Sequence, residues 1–299
     1  MSGGADNSSA GGPRPHRIDA TTALYGIFGD PVEHSLSPLI HNTIFGEQGI
    51  NAVYLAFRVE RSRLGLAVEA MRSMGMRGAN ITIPHKEQVL QYLDEIPEDV
   101  DRCIGAINTI VNRDGRLYGY NTDGAGFLQS LRLDLGMDIR SRAVLMLGAG
   151  GSGRGVAAAM AAAGAGQLHI LNRTPDRAHG LAEYLAGYFP ETDIEAVSSI
   201  EELQGERLDL VVNTTSLGMK PGDSLPVDLK RLGGHPKVYD LVYAPAQTPL
   251  LKQAAALGLE RANGIGMLAS QAALAYGLWT GRQDGVRERM MEILAPWRR

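Results

Sequence analysis

The sequence predicts an α/β protein of two domains, on three observations. The chain has 299 residues, which is long for one average domain and suits two, each able to bury its own core. Short apolar runs typical of buried strands alternate with helical patterns along most of the chain. One such run, R-A-V-L-M-L, leads directly into the glycine-rich turn G-A-G-G-S-G-R-G, which opens an alanine-rich helix.

Strand and helix signals in the first half predict a mixed sheet. The runs A-L-Y-G-I-F-G and N-A-V-Y-L-A-F-R-V favour two strands, and Ser37 followed by Pro38 favours a helix start between them, with the serine hydroxyl as N-cap. Apolar residues then recur at helical spacing up to Gly75, before a third strand-like run, A-N-I-T-I-P. Two further runs flank Asp114 and Gly115, a pair typical of hairpin turns. A hairpin beside strand–helix units implies a sheet that is not purely parallel.

The second half alternates strand and helix in the manner of a parallel sheet. A helix from about Asp123 to Gly136 leads to the strand before the glycine turn, and the alanine-rich helix after that turn runs to Gly164. The run Q-L-H-I-L predicts the next strand, and L-D-L-V-V-N and K-V-Y-D-L-V extend the sheet. We expect the final helices, from about Gly264 to Ala295, to pack on the first half of the chain.

Composition and charge exclude several classes of partner. A hydrophobic content of 44% with 21% charged residues is ordinary for a globular protein, and a net charge of −4 gives no reason to expect nucleic acid or a membrane. No apolar run is long enough to cross a bilayer. The single cysteine, Cys103, excludes an internal disulfide and agrees with a reducing compartment. We therefore expect a cytoplasmic protein, with residues 1–22 as a disordered tail.

The glycine turn has the chemistry of a dinucleotide site. Gly148 permits a tight turn, Gly150 lets the backbone approach a pyrophosphate, and Gly153 allows close packing of helix on strand. The helix that begins near Gly151 offers N–H groups and a positive dipole end to phosphates. Glycine turns also recur for steric reasons alone, so a purely structural turn stays an alternative. The order strand, turn, helix, strand favours the nucleotide.

The strand after the turn ends on Asn172, Arg173 and Thr174, with Arg177 close behind. NAD-binding folds usually have a carboxylate at this point, which binds the ribose hydroxyls. A guanidinium matches phosphate oxygens with two parallel hydrogen bonds, whereas a carboxylate would repel them. We therefore expect these four residues to bracket the 2′-phosphate of NADP. The alternative is that both arginines are solvated residues at a helix start.

A set of motifs stands in a fixed order between Leu24 and Trp297: G-D-P-V-E-H-S-L-S-P, N-I-T-I-P-H-K, G-A-I-N-T, G-Y-N-T-D-G, G-A-G-G-S-G-R, L-N-R-T, N-T-T-S-L-G-M, Y-D-L-V-Y and G-I-G-M-L-A-S-Q-A-A. With this ordered set the chain resembles the shikimate dehydrogenase family, NADP-dependent enzymes of the chorismate pathway of aromatic amino acid biosynthesis. The resemblance implies hydride transfer between NADPH and 3-dehydroshikimate, giving shikimate reversibly.

The resemblance also implies roles for particular residues. Lys86 and Asp123 match the family's catalytic pair. The implied substrate-binding residues are these two together with Ser35 and Ser37 for the carboxylate, Tyr243 beside it, and Thr82, Asn108 and Gln271 for the ring hydroxyls. The implied cofactor-binding residues are Gly148, Ala149, Gly150, Gly151, Ser152, Asn172, Arg173, Thr174, Arg177, Leu241 and Gly264. No spacing of histidine or cysteine suggests a metal site, and none is expected.

Each implied role has a structural alternative. Ser37 and Asp123 would serve as helix caps, Asn108 as a strand end, and Lys86 as a solvated lysine. Gln271 lies in an apolar helix, where a lone amide often bonds to backbone. The chain departs from the family pattern at Ser152 and Gly153, where the glycine turn often reads G-A-G-G-A-x-R, and at Gln247, where glutamate is frequent. Neither departure touches a proposed catalytic group.

The resemblance implies an α/β fold in which a mixed-sheet substrate-binding and catalytic domain, 23–125, precedes a Rossmann-like NADP-binding domain, 126–261. The C-terminal helices, 262–299, return to the substrate domain, and the site lies in the cleft between domains. Two other readings stay open: a quinate/shikimate dehydrogenase with broader use of substrates and NAD(P), and a non-catalytic NADP-binding sensor. A small-molecule substrate is the expected partner, and a homodimer is left open.

Overall fold

The computed structural model describes residues 18–298 and contains two β-sheets, one from each half of the chain. The first sheet has five strands in the order β2-β1-β3-β4-β5. β1, β2 and β3 are parallel, whereas β3, β4 and β5 pair antiparallel, which confirms a mixed sheet. Its strands and helices are β1 (Ala23–Gly29), α1 (Ser37–Glu47), β2 (Ala52–Arg58), α2 (Leu64–Ser73), β3 (Gly78–Ile81), α3 (Asp99–Ile104), β4 (Thr109–Arg113) and β5 (Arg116–Tyr120).

The hairpin between β4 and β5 confirms the turn that the sequence predicts. Asp114 has φ 51° and Gly115 has φ 89°, so both residues occupy the left-handed region that a two-residue hairpin loop requires. The Gly115 N–H donates to Asn112 Oδ1 at 2.8 Å. Arg113 faces Arg116 across the loop, which fixes the register of the antiparallel pair.

The second sheet has six parallel strands in the order β11-β10-β9-β6-β7-β8. The chain runs outward from β6 in one direction and from β9 in the other, so the strand order reverses between these two. Ligands of such sheets bind beyond the carboxyl ends of the strands at this point. Strands and helices of this half are α4 (Thr122–Leu135), β6 (Ala143–Leu147), α5 (Gly151–Ala162), β7 (Gln167–Leu171), α6 (Pro175–Tyr188), β8 (Asp193–Val197), β9 (Leu210–Asn213), β10 (Lys237–Asp240), α7 (Pro249–Ala256) and β11 (Arg261–Asn263).

The C-terminal helices return to the first sheet, as expected. α8 (Ile265–Thr280) and α9 (Val286–Ile293) share a buried apolar cluster with β1 and α1, to which Tyr25, Phe45 and Tyr276 belong. α4 lies between α8 and α5, and glycines allow both crossings. A Cβ on Gly126 would stand 2.7 Å from the Gln271 backbone nitrogen, and one on Gly124 would stand 2.6 Å from Ala159 Cβ. The contact at Gly126 brings the first half of α4 close to α8.

Two local expectations were wrong. Residues 19–22, assigned to the tail, form a turn in which Asp19 Oδ1 accepts from the Thr21 N–H at 2.8 Å and from Asn51 Nδ2 at 3.1 Å; the tail before residue 18 lies outside the described residues. Ser37 is the first residue of α1 and Leu36 is its N-cap, with no side-chain cap bond. Instead Ser35 Oγ accepts from the Ser37 N–H at 3.3 Å. Within residues 18–298, no helix has the length and hydropathy needed to cross a membrane.

Candidate active site

A cavity of ≈ 210 Å³ lies between the two sheets and collects residues from both halves of the chain. It is lined by all eight side chains that the sequence suggests for substrate binding, which the fold draws together from positions 35 to 271. Ser152, Leu241 and Gly264 of the suggested cofactor set also line it. The other members of that set lie outside this lining, on the glycine turn and beyond the end of β7. The lining residues first suggested by sequence are Ser35, Ser37, Thr82, Lys86, Asn108, Asp123, Tyr243 and Gln271.

Lys86 and Asp123 form a buried ion pair inside this cavity. Lys86 Nζ donates to Asp123 Oδ2 at 2.5 Å, and the two side chains are only 10% and 8% exposed. Lys86 is therefore buried and paired, and the alternative of a solvated lysine was wrong. Because each charge is removed from water, loss of either partner would leave the other uncompensated. The pair places a hydrogen-bond donor and a carboxylate side by side in the wall of the cavity.

The Asp123 carboxylate is free to pair with Lys86 because another residue caps its helix. Asn121 is the N-cap of α4, and its Oδ1 accepts from the Asp123 and Gly124 N–H groups at 3.0 and 3.3 Å. Its Nδ2 donates to the Ala106 carbonyl at 2.7 Å. Asn121, and not Asp123, is therefore the helix cap. It fixes the first turn of α4 against the first sheet.

Asn108 orients Asp123 from the opposite side. Its Nδ2 donates to Asp123 Oδ1 at 2.9 Å and to Thr122 Oγ1 at 3.0 Å, while its Oδ1 accepts from the Thr122 N–H at 2.7 Å. The amide is nearly saturated by protein partners. Contact of Asn108 with a ring hydroxyl stays a prediction, and the structure adds a role for it in aiming the carboxylate. Gln271 donates through Nε2 to the Leu268 carbonyl at 3.0 Å, which is the backbone bond expected of a lone amide in an apolar helix. It also lines the cavity.

Sequence reasoning missed a polar network centred on Asn80, which also lines the cavity. The buried Tyr54 hydroxyl donates to Asn80 Oδ1 at 2.6 Å, and Asn80 Nδ2 donates to the Asn108 carbonyl and to Thr109 Oγ1 at 3.2 and 3.1 Å. Burial raises the pKa of Tyr54 well above its ordinary value, so the phenol stays protonated and keeps donating. A signal was present, because Asn80 interrupts an otherwise apolar strand, and a buried amide requires partners.

Asp101 of α3 supports the cap of α4. Its Oδ2 accepts from the Asn121 N–H at 2.9 Å, and the residue is 7% exposed. Burial raises the pKa of Asp101 to about 6, although the backbone hydrogen bond opposes the shift. The folded chain therefore keeps a proton on Asp101 in the window from its ordinary 3.8 up to about 6, where the unfolded chain has lost it. Stability falls as pH rises through that window.

Replacing Asp101 by asparagine should remove this pH-dependent loss of stability. Asparagine keeps an oxygen that accepts from the Asn121 N–H but never ionises, so Asp101→Asn should melt close to wild type at about pH 4.5 and a few degrees higher above pH 7. Thermal melts across pH give the comparison, with Asp101→Ala, which loses the acceptor, melting lower at every pH. An equal offset of Asp101→Asn at all pH values would show that Asp101 does not titrate in this window.

The glycine turn is shaped by close contacts with the end of β9. Gly148 has φ 107°, and a Cβ there would stand 2.6 Å from Thr214 Oγ1. A Cβ on Gly153 would stand 2.8 Å from the same oxygen and 2.9 Å from the Gly148 carbonyl oxygen. Both positions therefore require glycine for steric reasons. Thr214 Oγ1 in turn donates to the Leu147 carbonyl at 2.8 Å, which ties β9 to β6 at the point where the strand order reverses.

The N-terminus of α5 fits the pyrophosphate of a dinucleotide. Its N-cap is Gly150, which is exposed and supplies no side-chain cap, so the N–H groups of the first turn keep their capacity for an anion. Arg173 and Arg177 are exposed beyond the carboxyl end of β7, the strand next to β6. If the pyrophosphate of a dinucleotide binds at the glycine turn, its 2′-phosphate is expected beyond the end of this neighbouring strand. The residues present thus fit NADP.

Asn172 and Gly264 have local packing roles in addition to the suggested ones. Asn172 Oδ1 accepts from the Ala149 N–H at 3.2 Å, and its Nδ2 donates to the Thr174 carbonyl at 2.8 Å, so it joins the glycine turn to the start of α6. A Cβ on Gly264 would stand 1.9 Å from the Leu241 carbonyl oxygen. Their contacts with the cofactor stay predictions. Among residues 18–298, no three His, Cys, Asp or Glu side chains are grouped so as to hold a metal ion.

Comparison with known proteins gives a consistent result for both halves. Residues 27–110 match the shikimate dehydrogenase substrate binding domain, and residues 131–217 match the shikimate / quinate 5-dehydrogenase family. The NADP(+) shikimate dehydrogenase of Caldanaerobacter subterraneus subsp. tengcongensis is 43% identical over 268 residues, which cover 89% of this chain and 94% of that protein.

Solved structures give the same relationship. The shikimate 5-dehydrogenase of Thermus thermophilus, in complex with NADP(H) and shikimate, superposes with a TM-score of 0.80 at 36% identity, covering 91% of this chain and 100% of that one. A quinate dehydrogenase from Corynebacterium glutamicum, in complex with NAD, superposes with a TM-score of 0.83 at 32% identity, covering 92% and 99%. From motifs, fold and site together, the chain belongs to the shikimate dehydrogenase family, whose NADP-dependent members are oxidoreductases acting on a CH–OH group.

Proposed function

We propose that this chain catalyses the reversible NADPH-dependent reduction of 3-dehydroshikimate to shikimate, in the cavity between its two sheets. The observation that carries the proposal is the buried Lys86–Asp123 pair, which stands in that cavity within hydrogen-bond reach of Ser152 on the glycine turn. In the proposal, the Lys86–Asp123 pair therefore lies beside both the carbonyl group of the substrate and the nucleotide site. NADPH supplies the hydride when it is bound.

Lys86 and Asp123 divide the work at the reacting oxygen. Reduction of a ketone builds negative charge on its oxygen, and oxidation of the alcohol requires removal of its proton. In the proposal, Lys86 Nζ donates a hydrogen bond to that oxygen and stabilises the charge as it develops. Asp123 holds the ammonium in place and accepts from a neighbouring hydroxyl. Because Asn108 and Asn121 fix Asp123 at both its oxygen and its backbone, the pair is oriented before substrate arrives.

Three hydroxyl residues of the cavity are assigned to the substrate carboxylate. Ser35, Ser37 and Tyr243 line the cavity, and hydroxyl groups donate to a carboxylate without adding a charge. Thr82 and Gln271 line the cavity as well and are assigned to ring hydroxyls. A site built to pair hydroxyls discriminates well, because an analogue that lacks one leaves a buried polar group without its partner.

We also propose that residues 23–125 and 262–299 form the substrate domain, and that 126–261 form the NADP domain. The sheets support this division except at its second boundary: the strands of the first lie between 23 and 120 and those of the second between 143 and 263, so β11 continues two residues past 261. We propose that the protein acts in the cytoplasm, a reducing compartment in which a free thiol such as that of Cys103 persists. A homodimer stays a prediction, and light scattering of the purified chain measures it.

The test of the function is an absorbance assay at the nicotinamide band that crosses shikimate and quinate with NADP and NAD. We expect shikimate with NADP to give the highest kcat/KM. Comparable rates with quinate would favour the broader quinate/shikimate dehydrogenase, which the fold shared with the quinate dehydrogenase allows. Nucleotide binding without turnover of any substrate would indicate a sensor and contradict the proposal.

Loss of a carboxylate-binding hydroxyl should affect the substrate and spare the cofactor. We expect Ser35→Ala and Ser37→Ala each to raise the KM for shikimate by roughly 10-fold, in line with about 1–1.5 kcal/mol per hydrogen bond, with little change in the KM for NADP. Ser37→Ala should not lose the stability of a helix cap, because Ser37 makes no cap bond, and a thermal melt beside the kinetics measures any other loss. Ser62→Ala, a change at an exposed serine, is the control, and an equal rise in both KM values would refute the assignment.

A further inference from the structure

Ser152 makes a contact that binding of a cofactor phosphate does not require. Its Oγ accepts a hydrogen bond from Lys86 Nζ at 3.0 Å, between residues 66 positions apart in sequence. The expectation that the departure from the family pattern at Ser152 does not touch a proposed catalytic group was therefore wrong. Lys86 follows β3 of the first sheet, whereas Ser152 is the second residue of α5 on the second sheet. The bond therefore crosses the cleft and joins the proposed acid–base pair to the glycine turn.

Counting the donors of Lys86 shows what this contact does. An ammonium group has three N–H donors. Asp123 Oδ2 accepts one at 2.5 Å and Ser152 Oγ accepts a second at 3.0 Å, which leaves one for the cavity that all three residues line. The methylene chain passes beside Gly151, where even an added Cβ would make only ordinary contacts, at 3.5 Å with Lys86 Cβ and 3.6 Å with its Cδ. The two acceptors together set the direction of the third N–H.

We propose that Ser152 is a positioning residue for Lys86, and that its hydroxyl oxygen aims the remaining N–H of the ammonium at the reacting oxygen of the substrate. This inference rests on the proposed function. With Asp123 as the sole acceptor, the ammonium would rotate about a single hydrogen bond, and its other two donors would share several directions. Alignment at the reacting atom acts on the transition state more than on substrate binding. The serine keeps its own O–H as a donor, so contact with a phosphate and contact with Lys86 are compatible.

The pair Ser152→Thr and Ser152→Val separates the hydroxyl from the volume of the side chain. The two replacements have nearly the same shape, and only threonine retains an acceptor for Lys86. We expect Ser152→Val to lower kcat for shikimate oxidation by roughly 5- to 10-fold, as for loss of a hydrogen bond to a charged group that water replaces in part. Ser152→Thr should stay within about twofold of wild type. The Kd of NADP, titrated without substrate by protein fluorescence, should differ little between the two variants.

A second measurement observes the ammonium without any turnover. Hydrogen bonds slow the exchange of ammonium protons with water, so ¹⁵N NMR of the Lys86 Nζ group in the unliganded chain should show faster exchange in Ser152→Val than in Ser152→Thr. Ser152→Ala repeats the test with a smaller side chain, should valine prevent folding. Faster exchange together with the lower kcat would support the positioning role.

Two results would overturn the inference. Equal kcat in the threonine and valine variants would show that the hydroxyl does not aim Lys86. A rise in the Kd of NADP in Ser152→Val, with kcat and ammonium exchange unchanged, would leave Ser152 as a cofactor contact. Failure of the wild-type chain to oxidise shikimate would instead refute the proposed function, and the exchange measurement would still decide whether Ser152 holds Lys86.

Discussion

Replacing Lys86 by alanine is expected to lower kcat by roughly 10²-fold or more, with much less change in the KM for shikimate. The reason lies in when its hydrogen bond matters. Lys86 Nζ faces an oxygen whose negative charge grows toward the transition state, so the interaction strengthens as the reaction proceeds and contributes little to ground-state binding. Steady-state kinetics in both directions give the two parameters separately.

A stability control belongs with this variant, because Lys86→Ala leaves Asp123 as a buried carboxylate without its cation. We expect the variant to melt below wild type, and a double replacement, Lys86→Ala with Asp123→Asn, to recover part of that loss without recovering kcat. Near-normal kcat with a raised KM would make Lys86 a binding residue and would refute its assigned role.

Replacing Arg173 by aspartate should reverse the cofactor preference. An exposed guanidinium beyond β7 would form charged hydrogen bonds with a 2′-phosphate, and an aspartate there would repel the phosphate and accept from the ribose hydroxyls of NAD. We expect kcat/KM for NADP to fall by roughly 10²-fold and that for NAD to stay unchanged or rise. Arg177→Asp should act in the same direction.

The matched control is Arg207→Asp, which makes the same change of charge on the same sheet. Arg207 is exposed in the segment before β9, at the amino end of the strands and thus opposite the glycine turn. It should leave the ratio of NADP to NAD activity unchanged. If Arg173→Asp lowers activity with both nucleotides equally, the arginine supports the start of α6 and not the phosphate.

Local patterns in the sequence predict much of the fold. β1 and β7 have the predicted bounds, and the left-handed pair at Asp114 and Gly115 has the predicted hairpin. The edge strands β8 and β11 were missed. β8 reads D-I-E-A-V and is largely solvent-facing, so its charged residues hide the apolar signal of a strand. β11 has three residues, too few to show a period.

Contacts between distant segments could not be predicted in the same way. The Lys86–Ser152 and Asp101–Asn121 hydrogen bonds depend on how the two sheets and three helices lie together, which periodicity does not encode. His41 is a further case. It is fully buried and stacks on Tyr54 with ring centroids 4.5 Å apart, and burial lowers its pKa to about 3. Nothing in its neighbourhood in the sequence indicates a neutral histidine in an aromatic core.

The eight residues that the motifs suggested for substrate binding nevertheless line one cavity, and a helix cap within one motif gives part of the reason. The G-Y-N-T-D-G segment illustrates the reason: Asn121 caps α4 and thereby releases Asp123 for Lys86. Resemblance supplied the roles, and the physical pattern alone would have left Asp123 and Asn108 as structural residues.

The most direct test of the account follows a labelled hydrogen from substrate to cofactor. Shikimate carrying deuterium at the carbon that is oxidised is mixed with excess enzyme and NADP, and the nucleotide is analysed by mass spectrometry after a single turnover. If hydride passes directly between the two molecules in the cavity, deuterium appears in NADPH, and Lys86→Ala slows the appearance of the label without diverting it. Deuterium recovered in water, or labelled NADPH formed equally fast by Lys86→Ala, would contradict the account.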